Sequence, residues 1–244
     1  MRDWKYLKKK LEQDGFVVID TVFDETEISE LKELLENVSG GSPSFRKTED
    51  LFAIRRFLLE IPGAEAIVFN HQLNTVITAV LEKDYFPVKS IYFDKPGSSN
   101  WFVSYHQDLT ISVNTKAPVA GFGPWTAKQD QFAVQPPVEI LESIYTIRIH
   151  LDDTDENNGA LRVVPGSHKK GICRPETIDW KEEKEEICKV PAGGIMIMKP
   201  LLLHASGRTV NHARRRRVIH IEFCNRPLPA PLEWSERPAT CTTD

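Results

Sequence analysis

Cysteine is scarce: four residues in 244, and no two of them form a CxxC pair. Cys173, Cys188, Cys224 and Cys241 are scattered, which excludes a zinc knuckle and offers no disulfide framework. They read as free thiols, as expected of a reducing compartment. No run approaches the roughly 18 apolar residues needed to span a bilayer. The opening MRDWKYLKKKLEQDG is charged and amphipathic and lacks the apolar core of a signal peptide. An excess of positive charge is missing too. Lys and Arg number 31 against 35 Asp and Glu, a net charge of -4, which disfavours non-specific polyanion binding. There is no internal repeat and no low-complexity segment. The expectation is one cytoplasmic domain, a monomer or homodimer, with no membrane and no nucleic acid among its partners.

What is present is a chain with 41% hydrophobic and 27% charged residues, enough to bury a core. The length suits one large all-β unit. Trp4, Leu7 and Leu11 recur at helical spacing, and Gly15 ends that helix. FVVID reads as a strand. FDETEISELKELLENV places Ile28, Leu31, Leu34 and Leu35 on one helical face, with acidic residues in the first turn. GGSPS breaks it, and a further helical region runs over roughly 49–82, interrupted by IPG. Beyond residue 86 the chain becomes short alternating runs: VKSIYF, WFVSYH, SIYTIRIHL, ALRVVP, GIMIM, LLLHAS and RRVIHIEF. Asn158-Gly159 between two of them predicts a hairpin. The reading is one domain over 1–244: a mostly helical layer over 1–85, an antiparallel β-sandwich or barrel over 86–226, and a tail over 227–244. Long insertions over 114–140 and 169–188 are candidate lids or binding loops.

The stretch VSYHQDLTISV carries the chemistry. On a strand, His106 and Asp108 share a face roughly 6.6 Å apart, while Gln107 points away. Two histidines and one carboxylate are the ligand set of non-haem Fe(II) oxygenases, which leaves metal positions open. The second histidine must come from elsewhere among seven. His150 and His220 lie inside strands, His71 in a helical region, His168 after a turn and His212 in a polar turn. His204 ends an apolar run near a strand mouth, and Ser206 shares its face. ARRRR follows. Alternation sends Arg215 and Arg217 to one face and Arg214 and Arg216 to the other, so at most two face a cavity. Arg148 shares a face with Thr146 and His150, a polar row that is costly to bury without function.

LEQDGFVVIDTVFDETEISELKELLE, YHQD, IHLDDTDENNGALRVVPGSHKKG and LLHASGRTVNHARRRR, in that order, resemble the phytanoyl-CoA dioxygenase family of Fe(II)/2-oxoglutarate-dependent oxygenases. The resemblance covers most of the chain. It implies a mainly β fold with a double-stranded β-helix (jelly-roll, cupin-like) core and a helical N-terminal layer. It implies Fe(II) held by His106, Asp108 and His204, with 2-oxoglutarate and O2 as cosubstrates. By motif position, Arg215, eleven residues past His204, would pair with the far carboxylate of 2-oxoglutarate, with Ser206 beside it. Arg217 is the alternative, Trp125 lies where some members contact the cosubstrate, and Arg148 would serve the cosubstrate or an acidic substrate. Related halogenases replace the carboxylate ligand with a small residue. Asp108 therefore implies hydroxylation of a small organic molecule, with release of succinate and CO2. Competing readings are a cupin-like metalloenzyme that does not use 2-oxoglutarate, a silent ligand-binding barrel, and nucleic-acid binding through ARRRR.

Overall fold

A computed structural model describes residues 2–38, 44–48, 52–81, 84–128, 131–210 and 214–236. GGSPS lies almost wholly outside the described residues, as do His212 and Cys241. The chain opens with α1 (Trp4–Asp14), β1 (Phe16–Ile19) and α2 (Glu25–Glu36), the expected order. Gly15 adopts φ +83° and donates its N–H to the Leu11 carbonyl, the conformation that favours glycine at a helix end. Asp24 and Glu27 cap α2 reciprocally, each side chain accepting the other's backbone N–H.

The hairpin β2 (Phe45–Lys47) and β3 (Phe52–Arg55) follows, then α3 (Phe57–Glu60), α4 (Ala64–Val68), α5 (His71–Val76) and a π turn over Ile77–Leu81. The helical reading of 49–82 therefore fails at Phe52–Arg55. That segment pairs with the next strand, Phe52 with Asp94 and Arg55 with Ile91, and this long-range pairing overrides local pattern. The break at IPG holds: the helix ends at Ile61, and Gly63 opens the next at φ +86°.

The β-rich part runs β4 (Phe86–Lys95), β5 (Val103–His106), β6 (Ile111–Val113), β7 (Trp125–Lys128), β8 (Gln131–Val134), the short α6 (Val138–Glu142), β9 (Ile144–His150), β10 (Leu161–Val163), β11 (Glu186–Cys188), β12 (Ile195–Met198), β13 (His204–Ser206) and β14 (Arg216–Cys224). The expected insertion at 114–140 contains the β7–β8 hairpin and the start of α6. Three antiparallel sheets result, in the orders β1-β12-β9-β14-β4-β3-β2, β11-β10-β13-β5 and β6-β8-β7. Asn158-Gly159 does not close a hairpin. β9 belongs to the seven-stranded sheet and β10 to the four-stranded one, so this turn carries the chain between sheets.

The seven-stranded sheet is buried on both faces, and the faces differ. Ile147, Ile149, Ile195, Ile197, Ile219, Ile221 and Phe223 pack with Leu11, Leu31, Phe57 and Val76 of the helical layer in one apolar cluster. The opposite face carries Thr146, Arg148 and His150 on β9 and Arg216, Val218, His220 and Glu222 on β14, all buried. Burying such polar groups is costly unless they are paired, so this face is the candidate site.

Candidate metal centre

β13 and β5 pair with His204 opposite His106, and this register assembles the site. Asp108 lies just beyond β5, its N–H donated to the Pro200 carbonyl at 2.9 Å. One oxygen of Asp108 is 3.9 Å from Nε2 of His106 and the other is 3.8 Å from Nε2 of His204. The three ligand atoms lie within 4.8 Å of one another, and the group could hold one metal ion. Atoms each about 2.1 Å from a common ion stand at most about 4.2 Å apart, so small side-chain shifts suffice.

The imidazoles are aimed by their own strands. Nδ1 of His106 lies 2.9 Å from the Ser104 carbonyl and Nδ1 of His204 lies 2.8 Å from the Leu202 carbonyl. A carbonyl only accepts, so both Nδ1 atoms carry the proton and both Nε2 lone pairs are free for a metal. Burial lowers the His204 pKa to about 4, which keeps it neutral and ligating. Burial raises the Asp108 pKa, but the surrounding His204, His220, Lys89 and His106 outweigh it and hold Asp108 well below the usual carboxylate range. His204 is buried and His106 is on the open side, its side chain 39% exposed. Gln107 turns away as expected: its amide donates to Gly171 and Leu201 and its oxygen accepts from the Cys173 N–H.

The four arginines sort by face. Arg214 pairs with Asp155. Arg215 is half exposed and pairs through two nitrogens with Asp94. Arg217 pairs with Asp152 at 2.7 and 2.9 Å. The structure therefore places Arg215 and its alternative Arg217 on the outer side, each already engaged by a carboxylate. Arg216 is the one that enters, 4% exposed, with Nη1 bonded to the Gly159 carbonyl and 3.3 Å from Ser206 Oγ. The alternation is as expected, but the buried side chain is that of Arg216, twelve residues past His204, and not Arg215 or Arg217.

No carboxylate lies within ion-pair distance of Arg216 among the described residues, and its buried Nε has no partner. Burial and the nearby Arg148 lower its pKa to about 9. A buried guanidinium without an anion is costly, so a bound carboxylate would fit here. Gly159 makes the approach possible. Its φ is +84°, and a Cβ there would stand 2.8 Å from the Gly207 carbonyl and 2.9 Å from Lys95 Nζ.

Arg148 is buried, as expected, with Nη1 3.1 Å from Nδ1 of His220. His220 Nε2 is 3.3 Å from Glu222, and Lys89 reaches the same Glu222 oxygen at 2.7 Å. Sequence reasoning missed Lys89, His220 and Glu222. The available signal was alternation, because VIHIEF places His220 and Glu222 on one face. Trp125 belongs to the apolar cluster of Ile111, Val113, Val134 and Leu141 under the three-stranded sheet.

Two histidines and a carboxylate converging between antiparallel sheets define a non-haem metal oxygenase centre with positions left open. A family model described as Phytanoyl-CoA dioxygenase (PhyH) matches residues 11–218, and the chain belongs to that family. It is an Fe(II)/2-oxoglutarate-dependent oxygenase that uses O2. The iron/alpha-ketoglutarate-dependent dioxygenase ausU of Aspergillus calidoustus is 24% identical over 250 residues, 96% of this chain and 76% of that protein. Among solved structures, AviO1 from Streptomyces viridochromogenes Tue57 superposes with TM-score 0.66 at 18% identity, covering 94% of this chain and 98% of the other. EctD from S. alaskensis with 2-oxoglutarate and 5-hydroxyectoine gives TM-score 0.69 at 15% identity, with 92% and 76% covered. These two likenesses are of fold. No helix among the described residues is long and apolar enough to cross a membrane.

Proposed function

We propose that this oxygenase hydroxylates a small organic molecule, with His106, Asp108 and His204 holding the iron and Arg216 with Ser206 anchoring the far carboxylate of 2-oxoglutarate. One observation carries the reading. Ser206, two residues past His204 on the same strand, sits 3.3 Å from a buried guanidinium that lacks an anionic partner. We read the seven- and four-stranded sheets as the two walls of a double-stranded β-helix, and residues 1–244 as one domain.

Iron held there would supply the oxidising chemistry, in which 2-oxoglutarate, O2 and substrate give succinate, CO2 and hydroxylated product, one oxygen atom going to succinate and the other to the product. The chain supplies position and charge. Ser104 and Leu202 carbonyls orient the two imidazoles, so only small side-chain shifts are needed to hold a metal. Asp108 stays ionised and contributes the single negative charge of the ligand set. Arg216 gives the cosubstrate one orientation, because a planar guanidinium pairs with a carboxylate through two parallel bonds. Arg148 lies in the same polar interior beside His220 and supports the cosubstrate end by charge. Trp125, packed in its apolar cluster, is assigned to the scaffold.

The test is 2-oxoglutarate turnover with added Fe(II), read as succinate release. The wild type is expected to release succinate. His106→Ala and Asp108→Ala are expected to fall by roughly 10³-fold or more, about 4 kcal/mol at 1.36 kcal/mol per decade. Equal release from all three proteins would end this reading.

A further inference from the structure

A cavity of about 350 Å³ lies beside the metal centre, lined by none of the three ligands. Its wall runs from β4 through Lys89, Ser90 and Ile91, across the three-stranded sheet through Thr110, Thr126 and Phe132, to Arg55, Arg56 and Glu236. Thr110 stands two residues from Asp108 in the chain, and Lys89 reaches Glu222 on the polar face of β14 at 2.7 Å. The Lys89 end of the cavity thus adjoins the polar face of the seven-stranded sheet.

The interior row on β14 separates this cavity from the cosubstrate anchor. Arg216 starts the row and Glu222, the partner of Lys89, lies six residues on, roughly 20 Å along a strand.

The charges in the wall are unbalanced. Three cations, Arg55, Arg56 and Lys89, face one carboxyl, Glu236. Lys89 is already engaged by Glu222 at 2.7 Å. Glu236 is held by Ser90, whose N–H donates to it at 2.9 Å and whose hydroxyl donates to its other oxygen. Neither Arg55 nor Arg56 forms an ion pair among the described residues, and the buried Nε of Arg56 has no hydrogen-bond partner. Burial lowers the pKa of Arg55, and Arg46 repels it further, so nothing nearby compensates its charge. Glu236 feels the charge of Arg56 but is held by Ser90, so two partly buried guanidiniums line one wall with neither in an ion pair, an arrangement suited to recognising a carboxylate or phosphate. Phe132, Ile91 and Val113 supply apolar wall between them and the metal end.

We infer that the substrate is a compact organic acid, held at its anionic end by Arg55 and Arg56 and presented past Lys89 and Thr110 to the metal centre. This rests on the oxygenase reading above. The cavity volume falls at the lower end for small-molecule sites, which suits a compact acid rather than a bulky thioester conjugate. The anion class covers carboxylates and phosphates alike, and the two are separated by experiment.

The experiment is calorimetric titration of the full chain, with and without Mn(II) and 2-oxoglutarate, using hexanoate, hexyl phosphate and the neutral control hexanamide. At least one acid is expected to bind about tenfold more tightly than the amide, the size of a charge-assisted contact. The preferred acid names the anion. Arg55→Gln with Arg56→Gln is expected to reduce the preference to about twofold or less, and Arg55→Gln alone to an intermediate value. Affinity for 2-oxoglutarate in the presence of Mn(II), read on the same variants, reports that the fold is intact. Equal binding of acid and amide, no binding of either acid, or an unchanged preference in the double variant would overturn the inference. Loss of the oxygenase reading shows separately, as failure of the wild type to bind 2-oxoglutarate with Mn(II) while the acid preference stands.

Discussion

The two faces of β14 are built from one nine-residue strand and do opposite jobs. The face toward the helices carries Ile219, Ile221 and Phe223, which pack in the apolar cluster with the helical layer. The face toward the metal carries Arg216, His220 and Glu222, equally buried, with His220 and Glu222 linked into a polar row with Arg148 and Lys89. Burial alone does not distinguish them. The difference lies in what each face is charged with: the first stabilises the chain without chemistry, and the second holds polar groups that pair with one another, save Arg216, which lacks an anionic partner among the described residues. The outer arginines extend the contrast, since Arg215 and Arg217 are fully partnered within the chain and Arg216 is not.

Substitutions on the two faces should therefore separate stability from cosubstrate binding. Ile221→Ala, at a site with no solvent exposure, is expected to cost about 2–5 kcal/mol in denaturant unfolding and to leave the KM for 2-oxoglutarate unchanged. A matching rise in KM would show that the faces are not independent. Arg216→Met is expected to raise that KM on the order of 10²-fold, as loss of a buried charge pair does, with little loss of unfolding free energy in the unliganded protein. Arg215→Met makes the sharper half of the pair: KM within about twofold of wild type, with a stability cost of about 1–3 kcal/mol because the buried Asp94 loses its partner. Should Arg215→Met weaken cosubstrate binding and Arg216→Met not, the face assignment is reversed.

The smallest effect concerns the outer face and pH. Burial raises the Asp152 pKa, but hydrogen bonds and charge from Arg217, with Lys32 nearby, outweigh it and lower it. Its folded pKa thus lies below its unfolded one, so its contribution is present above the ordinary aspartate range and fades as pH falls through the folded value. Asp152→Asn is expected to lose roughly 1 kcal/mol at pH 7 and nothing in strong acid. A loss that persists unchanged at low pH would assign the effect to packing instead of charge.

Much of this molecule is legible in one dimension. Gly15 and the Asp24–Glu27 cap mark real helix ends because both act within a turn of the chain. His106, Asp108 and His204 could be picked out because the chemistry of a three-ligand iron site restricts residue type and because Ser206 shares a face with His204. Other features were not legible. Phe52–Arg55 carries no strand signal strong enough to beat a helical pattern, and only pairing with β4 makes it one. Asn158-Gly159 is a genuine tight turn, but its place between two sheets depends on where β9 and β10 find partners. In ARRRR, alternation constrains which arginines travel together and says nothing about which pair faces inward.

The amino-acid order by itself determined the metal-ligand types, the helix caps, the alternation of strand faces and the family. These depend on local geometry and on residue chemistry. The inward choice of Arg216, the Lys89–Glu222–His220–Arg148 row and the Arg55–Arg56 cavity were decided only in three dimensions. Each joins strands far apart in the chain, and a strand's inward face is set by its neighbours' register, so no local pattern could select it.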